Sequence, residues 1–81
     1  GAHGSGIAKH PFARYAPNNT ATFAEVIAEA RNWGVIAIGY QCAGAVGRPG
    51  FLAAGLRLNP PKDERITFSA GDQVIVIAHR A

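Results

Sequence analysis

Cys42 is the lone cysteine of the chain, and with His3, His10 and His79 it forms the full stock of residues able to act as soft metal ligands or as a thiol and its base. A nucleophilic thiol needs a neighbour that lowers its pKa. Nothing close to Cys42 in sequence does so, and its place at the end of an apolar run predicts an inert, half-buried thiol. No two of these residues stand at a C-x-x-C or H-x-x-x-H spacing, so no metal centre is expected. The glycine-rich stretch GAVGRPG, Gly44–Gly50, invites a phosphate-binding reading, because backbone N–H groups in such loops cradle anions and Arg48 adds charge. It lacks the Lys-Ser/Thr ending of a P-loop and no helical pattern follows it, which predicts a flexible hairpin loop. Lys62, Asp63, Glu64 and Arg65 form a charged run with Asp72 nearby. Hard-cation sites take six or more oxygens and at most three carboxylates stand here, which would serve only if the turn folded back, so a solvated turn is expected. No catalytic residue is assigned, and the chain does not read as an enzyme.

With 81 residues the chain makes one domain, and such a domain buries only ~60% of the surface its unfolded form exposes. It is 48% hydrophobic and 16% charged, against about 25% charged residues in an ordinary soluble domain. Some of that apolar surface is therefore expected to be covered by a partner, a second copy of the chain being the simplest. One cysteine excludes an internal disulfide framework and fits a reducing compartment. Eight Lys and Arg against five Asp and Glu give a net charge of +3, and the basic residues are scattered without a basic stripe, which argues against a nucleic-acid partner. No apolar run approaches the ~20 residues that span a bilayer, so no direct membrane insertion is expected. The Gly start and the absence of Met suit a fragment of a longer protein. Residues 1–6 read as a flexible leader, part of it vector-derived, and 7–81 as the domain proper.

The elements that must position these residues follow from pattern. Ile7–Tyr15 predicts a short irregular strand broken by Pro11, ended by a turn at Pro17-Asn18-Asn19. Thr22 and Glu25 form an S/T-x-x-E capping box at a helix start. Phe23, Val26, Ile27 and Ala30 then share one helical face, and Gly34 stops the helix. VIAIGY, Val35–Tyr40, predicts a central strand covered on both faces. Phe51–Leu58 predicts a strand antiparallel to it, joined by the loop at 43–50, and Gln73–His79 predicts a last strong strand. Pro60 and Pro61 end the Phe51–Leu58 strand because they lack N–H donors, and Gly71-Asp72 supplies the turn into the last one. The expected fold is α+β: a small, mainly antiparallel sheet in β-α-β-β-β order with one amphipathic helix on one face.

From Thr22 to Ala78 the chain resembles the C-terminal subdomain of RCK (regulator of K⁺ conductance) domains, the TrkA-C domain, and most closely the version in bacterial relatives of the plant Castor and Pollux ion channels. The residues that carry the resemblance are the capped helix at Thr22 and Glu25, the strand ending in Gly39-Tyr40, the Asn59-Pro60 turn, and Gly71-Asp72 before the last apolar strand. The glycine-rich insert at 43–50 is longer than the tight hairpin of the simplest members. The resemblance implies a ligand-sensing or assembly module on the cytoplasmic side of a potassium-type cation channel or transporter. It also implies a homodimer, with a Rossmann-type half and a pore domain elsewhere in the parent chain. The alternative is a purely structural subdomain of a gating ring that binds no small ligand. A small ligand or ion, with no cofactor in this segment, would occupy a groove between two copies, lined by Ile36, Ile38 and Tyr40 and by Asn59 and Pro60.

Overall fold

The computed structural model describes residues 6–78. In chain order the elements are β1 (Gly6–Pro11), β2 (Thr20–Thr22), α1 (Phe23–Asn32), β3 (Val35–Gln41), β4 (Leu56–Leu58), β5 (Arg65–Thr67) and β6 (Gln73–Ala78). Four strands form one sheet in the order β1-β6-β3-β4, and β2 pairs with β5 in a separate two-stranded ribbon. Every pairing is antiparallel. The mixed α+β architecture with one helix is thus as the sequence predicts.

Helix α1 starts where its capping box says it should. The Thr22 N–H donates to Glu25 Oε1 at 2.7 Å, and the Glu25 N–H donates to Thr22 Oγ1 at 3.2 Å. Two more of the N–H groups that a helix start leaves without a partner are taken by the charged run. Phe23 N–H donates to the Glu64 carbonyl at 2.9 Å and Ala24 N–H to the Lys62 carbonyl at 2.8 Å. The run from Lys62 to Arg65 is therefore more than a solvated connection: its backbone closes the end of the helix while Lys62 and Asp63 stay exposed. At the other end, Gly34 takes a positive φ of 71°, a conformation that an L side chain resists. Phe23, Val26 and Ala30 are buried against the sheet and Ile27 packs beside them.

The core lies between α1 and one face of the four-stranded sheet. Phe12, Val26, Val74 and Val76 are its most enclosed large side chains. Phe12 stacks on Phe68, with ring centroids 3.9 Å apart, and so ties the turn after β1 to the segment after β5.

Three expectations change. The Phe51–Leu58 strand shrinks to Leu56–Leu58, because Ala53–Gly55 forms a single turn in which Ala54 takes a φ of 61°. Two strands, β2 and β5, are added to the expected order. And β3 is covered on one face only: Ala37 and Tyr40 are buried, whereas Ile36 is 56% exposed. Of the expected leader, Gly6 opens β1 opposite Ala78, and residues 1–5 lie outside the described residues, as do His3 and His79.

Candidate functional site

Tyr40, Arg57 and Glu64 form the most concentrated polar cluster among the described residues. Register creates half of it: Tyr40 on β3 stands directly opposite Arg57 on β4, close enough for a cross-strand side-chain pair. The turn before β5 supplies Glu64, whose position is held by the helix start it closes. Arg57 grips the Glu64 carboxylate with both arms of its fork, Nε donating to Oε2 at 2.7 Å and Nη2 donating to Oε1. The Tyr40 hydroxyl donates to Oε2 at 2.7 Å, and Arg57 Nη1 donates to the Gly50 carbonyl at 3.0 Å. Paired donors of this fixed geometry suit a carboxylate better than a point charge does.

The electrostatics follow the contacts. The Arg57 bonds hold the Glu64 carboxyl below its ordinary range, with partial desolvation opposing and Tyr40 assisting. Burial, then the Glu64 carboxylate, push the Tyr40 hydroxyl well above its usual value, so it stays a donor. Phe51 lies edge-on to Tyr40 at 6.0 Å and has the guanidinium carbons of Arg57 and Arg48 at 5.5 and 5.8 Å from its ring centre.

This cluster lines a groove of about 850 Å³ that runs between the loop at 43–51 and the segment from Glu64 to Asp72. Cys42 also borders it. Burial, and then the neighbouring Asp72 carboxylate, push its thiol up to about 12. That environment favours the protonated, unreactive form. His10 is occupied elsewhere, its Nδ1 lying 2.7 Å from the Tyr15 hydroxyl. Asp72 itself ties the groove together, accepting from Ser69 N–H at 2.8 Å and from Ala43 N–H at 3.4 Å. With Glu64 bound to Arg57 and Asp72 bound to backbone, the acidic residues do not converge. Among the described residues no three His, Cys, Asp or Glu side chains gather to hold a metal ion.

The five residues expected to line a ligand groove are divided by one irregularity. Ala37 pairs with Val76 but Gly39 pairs with Ile75, so Ile38 is an inserted residue in the β3–β6 ladder. Such a bulge reverses the alternation beyond it. Ile36 lies on the outer face and Tyr40 on the inner face with Ala37. Ile38 is half-buried, and its carbonyl accepts from Asn59 N–H at 2.8 Å. Asn59 is exposed at a φ of 47°, and Pro60 is buried. Ile36, Ile38 and Asn59 therefore stay close to the outer side, whereas Tyr40 belongs to the other face.

That outer face is itself a candidate interaction surface. Ile7, Ile77 and Ile36 stand in one row across three strands, and Ile75 stands in the next row between Lys9 on one side and Gly39 and Leu58 on the other. Ile7 is 75% exposed and Leu58 43%. Ile75 is buried yet lies outside the core cluster under α1, as expected of a residue screened by its neighbours on the opposite side of the sheet. Sequence reasoning placed Glu64 in a solvated turn and missed its pairing with Arg57, because no spacing rule links residues in separate loops and strands. The signal it could have used for the bulge is Gly39, a glycine inside a strand pattern. Neither protein-family models nor curated proteins give a match to the chain.

Proposed function

We propose that the chain is a non-enzymatic regulatory module, ligand-sensing or assembling, of a potassium-type cation channel or transporter, as its resemblance to the RCK C-terminal subdomain implies. In this reading it works on the cytoplasmic face as a pair of copies that meet through the outer side of the four-stranded sheet. The observation that carries the pairing is the row Ile7, Ile77, Ile36, with Leu58 beside it, left open on a sheet whose other face is occupied by the core cluster that includes α1. A contiguous apolar face of this kind on a small domain marks an interaction surface. A second copy offers the same apolar row and makes the contact isologous. A ligand held across the pair would bias gating only through its different affinity for two arrangements of the copies.

Sedimentation equilibrium of the 81-residue chain tests the pairing. The expected result is a reversible dimer that Ile36→Lys converts to a folded monomer. A wild-type chain that stays monomeric to millimolar concentration would overturn it.

The Tyr40–Arg57–Glu64 cluster favours a second reading, a structural subdomain that binds nothing small, since three of the five N–H donors of Arg57 are spent within the chain, on Glu64 and the Gly50 carbonyl. A thermal-shift panel of nucleotides, divalent cations and K⁺ separates the two, because a ligand that binds only the folded state raises its midpoint. Absence of any shift supports the structural reading.

A further inference from the structure

The groove between the 43–51 loop and β5 is unbalanced in its hydrogen-bonding groups. Its two carboxylates are committed, Glu64 to Arg57 and Tyr40, and Asp72 to the amides of Ala43 and Ser69. Its donors are not. Arg48 and Arg65 both line the groove and are exposed, and among the described residues neither has a carboxylate within salt-bridge distance. Glu25, at the start of α1, feels Arg65 only at longer range. The hydroxyls of Thr67 and Ser69 lie on the same wall, with no intramolecular bond among the described residues. The backbone N–H groups of Gly44 and Gly50, also on the lining, donate to no acceptor in the described chain. A wall with this many unspent donors, whose two carboxylates are already bound, is complementary to an anion with several oxygens.

We infer that this groove binds a phosphate-bearing ligand, with Arg48 and Arg65 as its charge partners and the Thr67 and Ser69 hydroxyls and glycine amides as further donors. Guanidinium groups match phosphate oxygens in geometry as well as charge, and the Gly44 and Gly50 amides stand as two separate neutral donors on the lining. Arg57 acts indirectly: its bonds neutralise the Glu64 carboxylate, leaving Asp72, held by two backbone amides, as the remaining negative charge on the lining, and its bond to the Gly50 carbonyl fixes the end of the loop. The site lies wholly within one chain, so it does not depend on pairing through the outer face.

Titration of the ¹⁵N-labelled chain with inorganic pyrophosphate, at ionic strength held constant with NaCl, tests this. Saturable shifts are expected at Gly44, Gly50, Thr67 and Ser69. Arg48→Ala and Arg65→Ala should each weaken binding roughly tenfold, the usual worth of a hydrogen bond to a charged group. Arg31→Ala, on the helix and outside the lining, should leave it unchanged. Both arginines are exposed, so the variants are expected to fold, and circular dichroism confirms that. Repeating the titration in Ile36→Lys separates this site from the paired state: binding that survives in the monomer supports the intrachain site, and binding lost with the dimer overturns it. Shifts that spread over Arg14 and Arg31 without saturating would also overturn it, as would undiminished binding in both groove variants. Citrate that binds as tightly as pyrophosphate would remove the phosphate assignment.

Discussion

On the inner side of the sheet, Val74 and Val76 are enclosed in the core cluster with Val26 of α1, Phe12 stacks on Phe68, and Tyr40 reaches Glu64. On the outer side, three isoleucines stand in register with solvent over two of them. Both faces come from the same strands, and in β3 a single inserted residue decides where one ends and the other begins. The inner face supplies the stability of one chain, whereas the outer face has apolar surface left for association. Substitutions on the inner face should therefore be read in the unfolding midpoint. Those on the outer face should be read in the state of assembly.

The sharpest test of that division is Phe12→Ala. Loss of this enclosed ring is expected to cost about 3–5 kcal/mol, measured by denaturant unfolding, with any folded fraction still pairing. Next comes Gly39→Ala at the bulge. A Cβ there would sit 2.1 Å from the Arg57 carbonyl oxygen and 3.1 Å from Leu58 Cα, both main-chain atoms that cannot swing aside. The β3–β4 edge must then move, at a cost of about 2–3 kcal/mol, and the amide resonances of Arg57 and Leu58 should shift. Glu64→Ala leaves the Arg57 fork and the Tyr40 hydroxyl without their acceptor. With the pair partly exposed, the expected loss is about 1–2 kcal/mol, and a double-mutant cycle with Arg57→Ala should recover much of it as coupling. Ile36→Lys should cost the folded monomer less than about 1 kcal/mol, the span of strand propensity, while abolishing association. An outer-face change as costly to a monomer as Phe12→Ala would erase the distinction between the faces.

The smallest effect is in pH. The Glu64 carboxyl titrates below its unfolded value of 4.5 because Arg57 holds it charged. Its contribution is full above pH 4.5 and is lost as the pH falls through the depressed value. Glu64→Gln should therefore show a flatter decline in unfolding midpoint below pH 4.5 than the wild type. An unchanged acid limb would mean that Glu64 is no more stabilised in the fold than in the unfolded chain.

Part of this was legible in the sequence, for physical reasons that differ by element. The helix was, because the Thr22 and Glu25 side chains act within one turn and their spacing is fixed by helix geometry. The strands expected at Val35–Tyr40 and Gln73–His79 were, because short apolar runs dominated by Val and Ile favour a sheet, and β3 and β6 stand there, β6 described to Ala78. β2 and β5 were not: each is three residues long and buries one side chain, Ala21 or Ile66, which leaves no period to read. Nor was the separation of Tyr40 from Ile36, since strict alternation puts both on one side and only the bulge divides them. Glu64 was hidden by its neighbours, since Lys62, Asp63 and Arg65 make the run look uniformly solvated. Its role depends on a β3–β4 register that no local pattern encodes.

The open isoleucine row is the claim on which the paired reading rests, and methyl NMR with a soluble paramagnetic agent measures it directly. As the chain is concentrated from micromolar to millimolar, the Ile7, Ile36 and Ile77 methyls should lose their relaxation enhancement together, while that of Ile27 on the helix stays constant. Enhancement at Ile36 and Ile77 that persists undiminished at every concentration would contradict the account.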